Sequence, residues 1–287
     1  MRDIPKSPRI IEIKRKRRRK MIKLSILLFL IFILLVIGLS YLSREKHIVI
    51  NNIKVNGAHV LNQEDIIEIA KNEMTGKYLY LFSRNNTFIY PSNDIHKALL
   101  INFPRIKELS LGLNGLNELE INIEERKEEF LYCGDSIPED KEKIGDNCYF
   151  LNDDGLIFDE APYFSGDIYF KYYIPLEENT EPLGKEMLEK DRFHELSYFF
   201  NRIDKLGFKS VYFEMAKDGI NYLYLEKRDN KNNPKIIFRN SDNLDILLEN
   251  LTLAMKKDEF SGEIKQKYNI LEYIDLKFKN KILYKFQ

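Results

Sequence analysis

Hydrophobic positions along this chain form one solid block, followed by a long series of short periodic runs. The block is Leu24 to Leu42, 19 residues interrupted only by Ser25, Gly38, Ser40 and Tyr41. As a helix rising 1.5 Å per residue it would span about 28 Å, close to the roughly 30 Å hydrocarbon core of a bilayer. Beyond it, Ile48 to Val55 alternates apolar and polar residues as a half-buried strand does, and Asn56-Gly57 turns the chain. Asn62 is the predicted N-cap of a helix with Ile66, Ile69 and Ala70 on one face and Gly76 past its end. After the short apolar piece Tyr78 to Phe82, a second helix is predicted from Ser92, carrying Ile95, Ala98 and Leu99. Pro104 ends it, because the residue before proline is pushed away from helical angles. Ile106 to Leu113 and Leu116 to Ile123 flank Asn114-Gly115, a strong hairpin signal.

Past Glu125 the texture changes to short aromatic strands. Tyr149 to Phe158 reads as strand, Asp-Gly turn, strand, and Ile168 to Tyr173 as another strand. Pro175 to Lys185 is a polar connector. A helix from about Lys185 to Leu206 aligns Phe193, Leu196, Phe200 and Ile203. Strands are predicted around Val211 to Phe213, Tyr222 to Leu225 and Lys235 to Phe238. A last helix near Ser241-Asp242 buries Leu244, Leu247, Leu248, Leu251 and Met255. Tyr273 to Phe278, a Lys-Asn turn and Ile282 to Phe286 close the chain. The predicted class is α+β: a single transmembrane helix, a β-α-α-β-β unit, and a mostly antiparallel β domain with two helices. Its boundaries are a basic tail 1–23, the span 24–42, a linker 43–47, and units 48–125 and 126–287.

Charge then orients the span. Lys14, Arg15, Lys16, Arg17, Arg18, Arg19 and Lys20 lie just before it, and a basic flank holds that end in the cytoplasm. The 245 residues after Leu42 are therefore expected outside the cytoplasm. A cleaved signal peptide has a shorter apolar region and a small-residue cleavage site, and no A-x-A pattern follows here. A basic run can also be a nucleic-acid patch, but its position against an apolar span favours the topogenic role and contact with anionic lipid. The formal charge of zero conceals a net +9 over residues 1–23 and −9 over the rest, and an acidic ectodomain argues against nucleic acid as its partner.

The chain has two cysteines, Cys133 and Cys148, flanking a polar loop between two predicted strands. Pairing of those strands would bring the thiols together, and a disulfide closing that loop would stabilise by about 3 kcal/mol. Two free thiols are the alternative. The histidines His47, His59, His96 and His194 have no ligand spacing, and no nucleophile elbow, P-loop or zinc pattern occurs. Asp153-Asp154-Gly155 suits a hairpin turn before it suits a carboxylate pair. No enzyme, cofactor, metal or small-molecule substrate is expected. Binding is left, and an edge strand offers it, since its unpaired N–H and C=O groups accept another chain. Ile282, Leu283, Tyr284 and Phe286 put apolar residues on both faces of the last strand. The same pattern also suits a last core strand, and the residues alone leave both open.

The ordered motifs resemble the FtsQ/DivIB cell-division family, a POTRA domain followed by a β domain. Ile53-Lys54-Val55-Asn56-Gly57 is similar to that family's V-x-G opening, and Asn102-Phe103-Pro104-Arg105-Ile106 to its P-x-V step. Leu119 to Arg126 resembles its l-x-I-x-v-x-E-R strand, Leu151 to Phe158 its v-D-x-x-G-x-v-F turn, and Ile274 to Phe278 its closing I-D-L-R-f. Lys127-Glu128 stands where proline is frequent, Asn152 replaces an acidic residue, and Lys277 replaces arginine. The resemblance, over about residues 15 to 287, implies a non-enzymatic single-pass scaffold of the divisome at the division septum of the cell membrane. It implies that the last strands receive FtsB/FtsL-like single-span partners and that the complex helps control septal peptidoglycan synthesis. A POTRA-containing envelope assembly factor is the runner-up, though such chains continue into a β-barrel or carry tandem copies. A membrane-anchored cell-wall hydrolase would need convergent carboxylates, a Cys-His pair or metal ligands in a cleft.

Overall fold

The computed structural model of the chain describes residues 8–140, 144–164, 166–177, 180–227, 233–278 and 281–287. The expected Lys279-Asn280 turn, the first seven residues of the basic tail and the side chain of Lys14 lie outside the described residues. The chain divides into two compact units, Met1–Glu125 and Arg126–Gln287.

The first unit opens with α1 (Pro8–Leu42), one continuous helix. Its segment Arg15–Leu42 is long and apolar enough to cross a membrane, with a mean hydropathy of 3.0 in its most apolar stretch and none of that stretch buried. A helix that is apolar all round finds stable surroundings only in a core or a bilayer. A three-stranded sheet follows in the order β1 (Asn52–Asn56), β5 (Glu118–Glu125), β4 (Ile106–Asn114). β1 runs parallel to β5, and β4 antiparallel to it. α2 (Gln63–Glu73) and α3 (Ser92–Asn102) bury Ile66, Ala70, Ile95 and Leu99 against Ile53, Val55, Leu119, Ile121 and Ile123. Asn62 caps α2, its side chain accepting from Glu64 N–H at 2.9 Å.

The first strand starts later than its alternation predicts. Ile50 N–H donates to Asn85 O and Thr87 N–H to Ile48 O, so residues 48–50 pair locally instead of joining the sheet. Between the two helices the apolar piece folds into a small hairpin, β2 (Lys77–Tyr78) and β3 (Phe82–Ser83).

The second unit is a nine-stranded mixed sheet with five antiparallel and three parallel pairings. Its strands are β6 (Phe130–Tyr132), β7 (Tyr149–Leu151), β8 (Ile157–Glu160), β9 (Lys171–Tyr173), β10 (Ser210–Met215), β11 (Ile220–Leu225), β12 (Lys235–Arg239), β13 (Leu271–Phe278) and β14 (Lys281–Phe286). The spatial order is β14-β13-β12-β11-β10-β9-β6-β7-β8. Its core joins Phe193, Leu196, Phe200 and Ile203 of α4 (Lys190–Lys205) and Leu247 and Leu251 of α5 (Leu244–Met255) to Phe213, Leu223, Phe238 and Ile274 of the sheet.

Two details of this unit depart from the pattern along the chain. The two helices expected here are three among the described residues, because α6 (Asp258–Gln266) follows α5. In nine residues it offers only Phe260 and Ile264 at helical spacing, around Gly262, so no periodic stripe announces it. β9 is also shorter than Ile168 to Tyr173: the Lys171 ammonium donates to Gly166 O (2.9 Å) and pairs with Asp167 (3.3 Å), folding the preceding residues into a turn.

Candidate partner-binding edge

The two edges of the large sheet, β8 and β14, are finished differently. At β8 the chain pairs with the start of its own edge. Ile157 N–H donates to Lys185 O (2.9 Å), Gly184 N–H donates to Ile157 O (2.7 Å), and Leu156 bridges Glu186. At the other end, β14 has β13 as its one sheet neighbour among the described residues. An edge of that kind presents main-chain donors and acceptors to solvent.

All four sequence-predicted contact residues lie on β14, and none of the four is fully buried. Alternation divides them between two faces. Ile282, Tyr284 and Phe286 share the face of α5 and α6. The Tyr284 ring meets Phe260 edge-on at 5.2 Å, and its hydroxyl donates to Glu263 at 2.8 Å. Hydrogen bonds from Lys267 and from Tyr284 hold the Glu263 carboxyl below its ordinary range, and the bond to Glu263 raises the Tyr284 phenol. Phe286 packs on the Tyr284 ring at 5.6 Å under the Lys267 ammonium. Ile282 lines an open groove of about 360 Å³ with Leu253, Ala254, Phe260 and Phe278. Leu283 and Lys285 point the other way: Leu283 is 45% exposed, and Lys285 pairs with Glu272 at 2.7 Å.

An extended segment added to β14 would therefore find main-chain hydrogen bonds along the strand, a groove of mixed polar and apolar lining beside one face and Leu283 on the other. Lys281 and Lys285 bracket the strand, and such edge lysines oppose self-pairing. Phe260 and Glu263, which hold Tyr284 in place, were not legible as site residues. Their one trace along the chain is the i, i+4 pair Phe260 and Ile264.

The remaining predicted residues are dispersed. Arg15, Arg17, Arg18, Arg19, Lys16 and Lys20 lie exposed along α1. The β6–β7 register sets Tyr132 across from Tyr149, so the next pair outward is Cys133 and Cys148, which are joined by a disulfide. At the Asp-Gly turn, Asn152 Oδ1 accepts from Asp154 N–H (3.1 Å) and Leu156 N–H (2.8 Å), the closing role an aspartate would otherwise fill. Asp154 is bound by Lys190 at 2.9 Å and His194 at 3.1 Å, with Lys190 the main cause of its lowered carboxyl pKa. Among the described residues no group of three or more His, Cys, Asp or Glu is arranged to hold a metal ion.

Comparison with known proteins supplies no family. No protein-family model matches the chain, and no curated protein matches it.

Proposed function

We propose that the chain is a single-pass membrane scaffold of the FtsQ/DivIB type, which captures an extended segment of a small single-span divisome partner on β14. In this reading Met1–Glu125 is the anchor with its POTRA unit, and Arg126–Gln287 is the β domain that receives the partner. The basic run of α1, ahead of its apolar block, keeps that end in the cytoplasm, and the POTRA unit and β domain act outside it, at the septum. The observation that carries the reading is the asymmetry of the sheet: Gly184 to Glu186 pair with the start of the β8 edge, whereas among the described residues β14 has no neighbour beyond β13. The parallel β1–β5 pairing around two helices supports the POTRA assignment.

The test is site-directed photocrosslinking in the native host, using the full chain with a photoreactive amino acid at position 283. A crosslink to a small single-span protein is expected from position 283 and not from exposed Tyr163, just past β8 at the opposite edge. No protein crosslink at 283, or equal crosslinks at both positions, would overturn the reading.

A further inference from the structure

We propose that the β2–β3 hairpin is a membrane foot, with Leu79 and Tyr80 seated in the headgroup region of the bilayer that α1 crosses. The inference rests on the reading of α1 as a membrane span. Ser40, inside the apolar block, and Ser43, just past it, lie three residues apart and are each 6% exposed, although Leu39, Tyr41 and Leu42 around them are open. The hairpin covers them. Ser40 Oγ donates to Leu81 O at 2.6 Å, and Ser83 N–H donates to Ser43 Oγ at 3.0 Å. Arg44 also donates to Leu81 O (3.3 Å), and Asn86 Nδ2 donates to Ser43 O (3.0 Å). Three hydrogen bonds to the hairpin and one to Asn86 just past it thus fix the hairpin at the depth of the last helical turn. Ser40 sits two residues before the end of the apolar block, so that depth is about 3 Å inside the end of the span.

The turn itself is built for display. Leu81 N–H donates to Tyr78 O at 3.0 Å, and the two central residues, Leu79 and Tyr80, have φ of 49° and 62°. Turns with positive φ at both central residues normally carry Asn-Gly, because a bulky side chain strains the left-handed backbone. Here that strained backbone holds the side chains of Leu79 and Tyr80 away from the protein, 84% and 92% exposed. Water gives no return for that arrangement, and the bilayer interface does. Leucine loses apolar surface to the acyl boundary, and tyrosine keeps its hydroxyl among headgroups, as aromatic residues do at the ends of membrane spans. Tyr41, exposed on the helix beside the hairpin, belongs to the same belt.

The chain contains no tryptophan, so one introduced indole reports its own surroundings. The full chain is reconstituted into phosphatidylcholine vesicles as two variants, Tyr80→Trp and Ile33→Trp, the second in the middle of the apolar block of α1. Lipids brominated near the headgroup or near the bilayer centre serve as quenchers. A blue-shifted Tyr80→Trp emission, quenched mainly by the shallow bromolipid, is expected alongside deep quenching of Ile33→Trp. Deep quenching of Ile33→Trp with a red, unquenched Tyr80→Trp would overturn the foot and leave the anchor standing. A blue-shifted but unquenched Tyr80→Trp would mean a protein occupant, such as a second copy, and would also overturn it. An unquenched Ile33→Trp would remove the anchor and the foot together.

Discussion

Tyr284 on β14 donates its hydroxyl to Glu263 on α6 at 2.8 Å, tying the edge strand to the helix behind it. Leu283, one residue earlier, faces the opposite way and is open to solvent. In the proposed reading, neighbouring residues on one strand are thereby divided between holding the strand and meeting a partner. Leu283→Asp is expected to abolish partner capture while leaving the urea midpoint of the detergent-solubilised chain unchanged. Tyr284→Phe removes only an exposed bond and is expected to retain capture. Crosslinking yield read beside the midpoint separates the two, and normal capture by Leu283→Asp would contradict the edge reading.

The closure at Gly57 and Glu125 predicts two very different sensitivities. Gly57 has φ of 81°, and a Cβ there would lie 2.0 Å from Ile123 O. Gly57→Ala therefore combines left-handed strain with an overlap against backbone, for a loss of about 3–5 kcal/mol. Glu125 accepts from the N–H groups of His59, Val60 and Leu61 at 2.9 to 3.1 Å, but near the surface. Glu125→Ala is expected to cost about 1 kcal/mol, with faster hydrogen exchange confined to those three amides.

Asn221 presents the opposite case, a substitution that should stabilise. It is fully buried on β11 opposite Phe238, with neither side-chain polar atom hydrogen-bonded. Replacing an unpaired buried amide by an apolar group of similar size recovers its desolvation cost, so Asn221→Leu is expected to gain roughly 1–3 kcal/mol. A lower urea midpoint would show that the amide serves the fold in some other way.

The disulfide between Cys133 and Cys148 closes a loop of 15 residues. Chain entropy assigns such a crosslink about 3 kcal/mol. The double change Cys133→Ala and Cys148→Ala is expected to lower stability by that amount, and reductant should do the same to the native chain. Equal midpoints with and without reductant would mean that the bridge contributes nothing.

Alkaline pH should weaken the second unit through its tyrosines. Burial pushes the Tyr173 phenol up to about 12 and raises those of Tyr132, Tyr172, Tyr212 and Tyr224. In the unfolded chain these groups ionise near pH 10, whereas the native state keeps their protons. Their contribution is complete below about pH 10 and is lost as pH rises through the raised values. The urea midpoint is expected to fall steeply from about pH 10 upward, less so in Tyr173→Phe. A flat profile over that range would contradict the burial argument.

Local chemistry made much of the fold legible along the chain. Asn114-Gly115 announced the β4–β5 hairpin, Asn62 the start of α2, and the spacing of Phe193, Leu196, Phe200 and Ile203 the buried face of α4. These signals act within a few residues of one another, so they survive without tertiary context. α6 escaped because two apolar residues make no period, and β1 and β9 were overdrawn because neighbouring segments competed for their hydrogen bonds.

Pairing is a different kind of fact. The parallel insertion of β9 between β6 and β10, and the parallel docking of β13 on β12, join residues far apart in sequence. The energy of those contacts lies in surfaces that exist only after folding. The sequence by itself determined the apolar block of α1, its basic flank, most elements and the apolar character of Ile282 to Phe286. Only the tertiary structure decided that β14 is an edge with β13 as its one sheet neighbour among the described residues, and that Leu79 and Tyr80 stand beside the end of α1. An edge is defined by which neighbour is missing, and no residue carries that information alone.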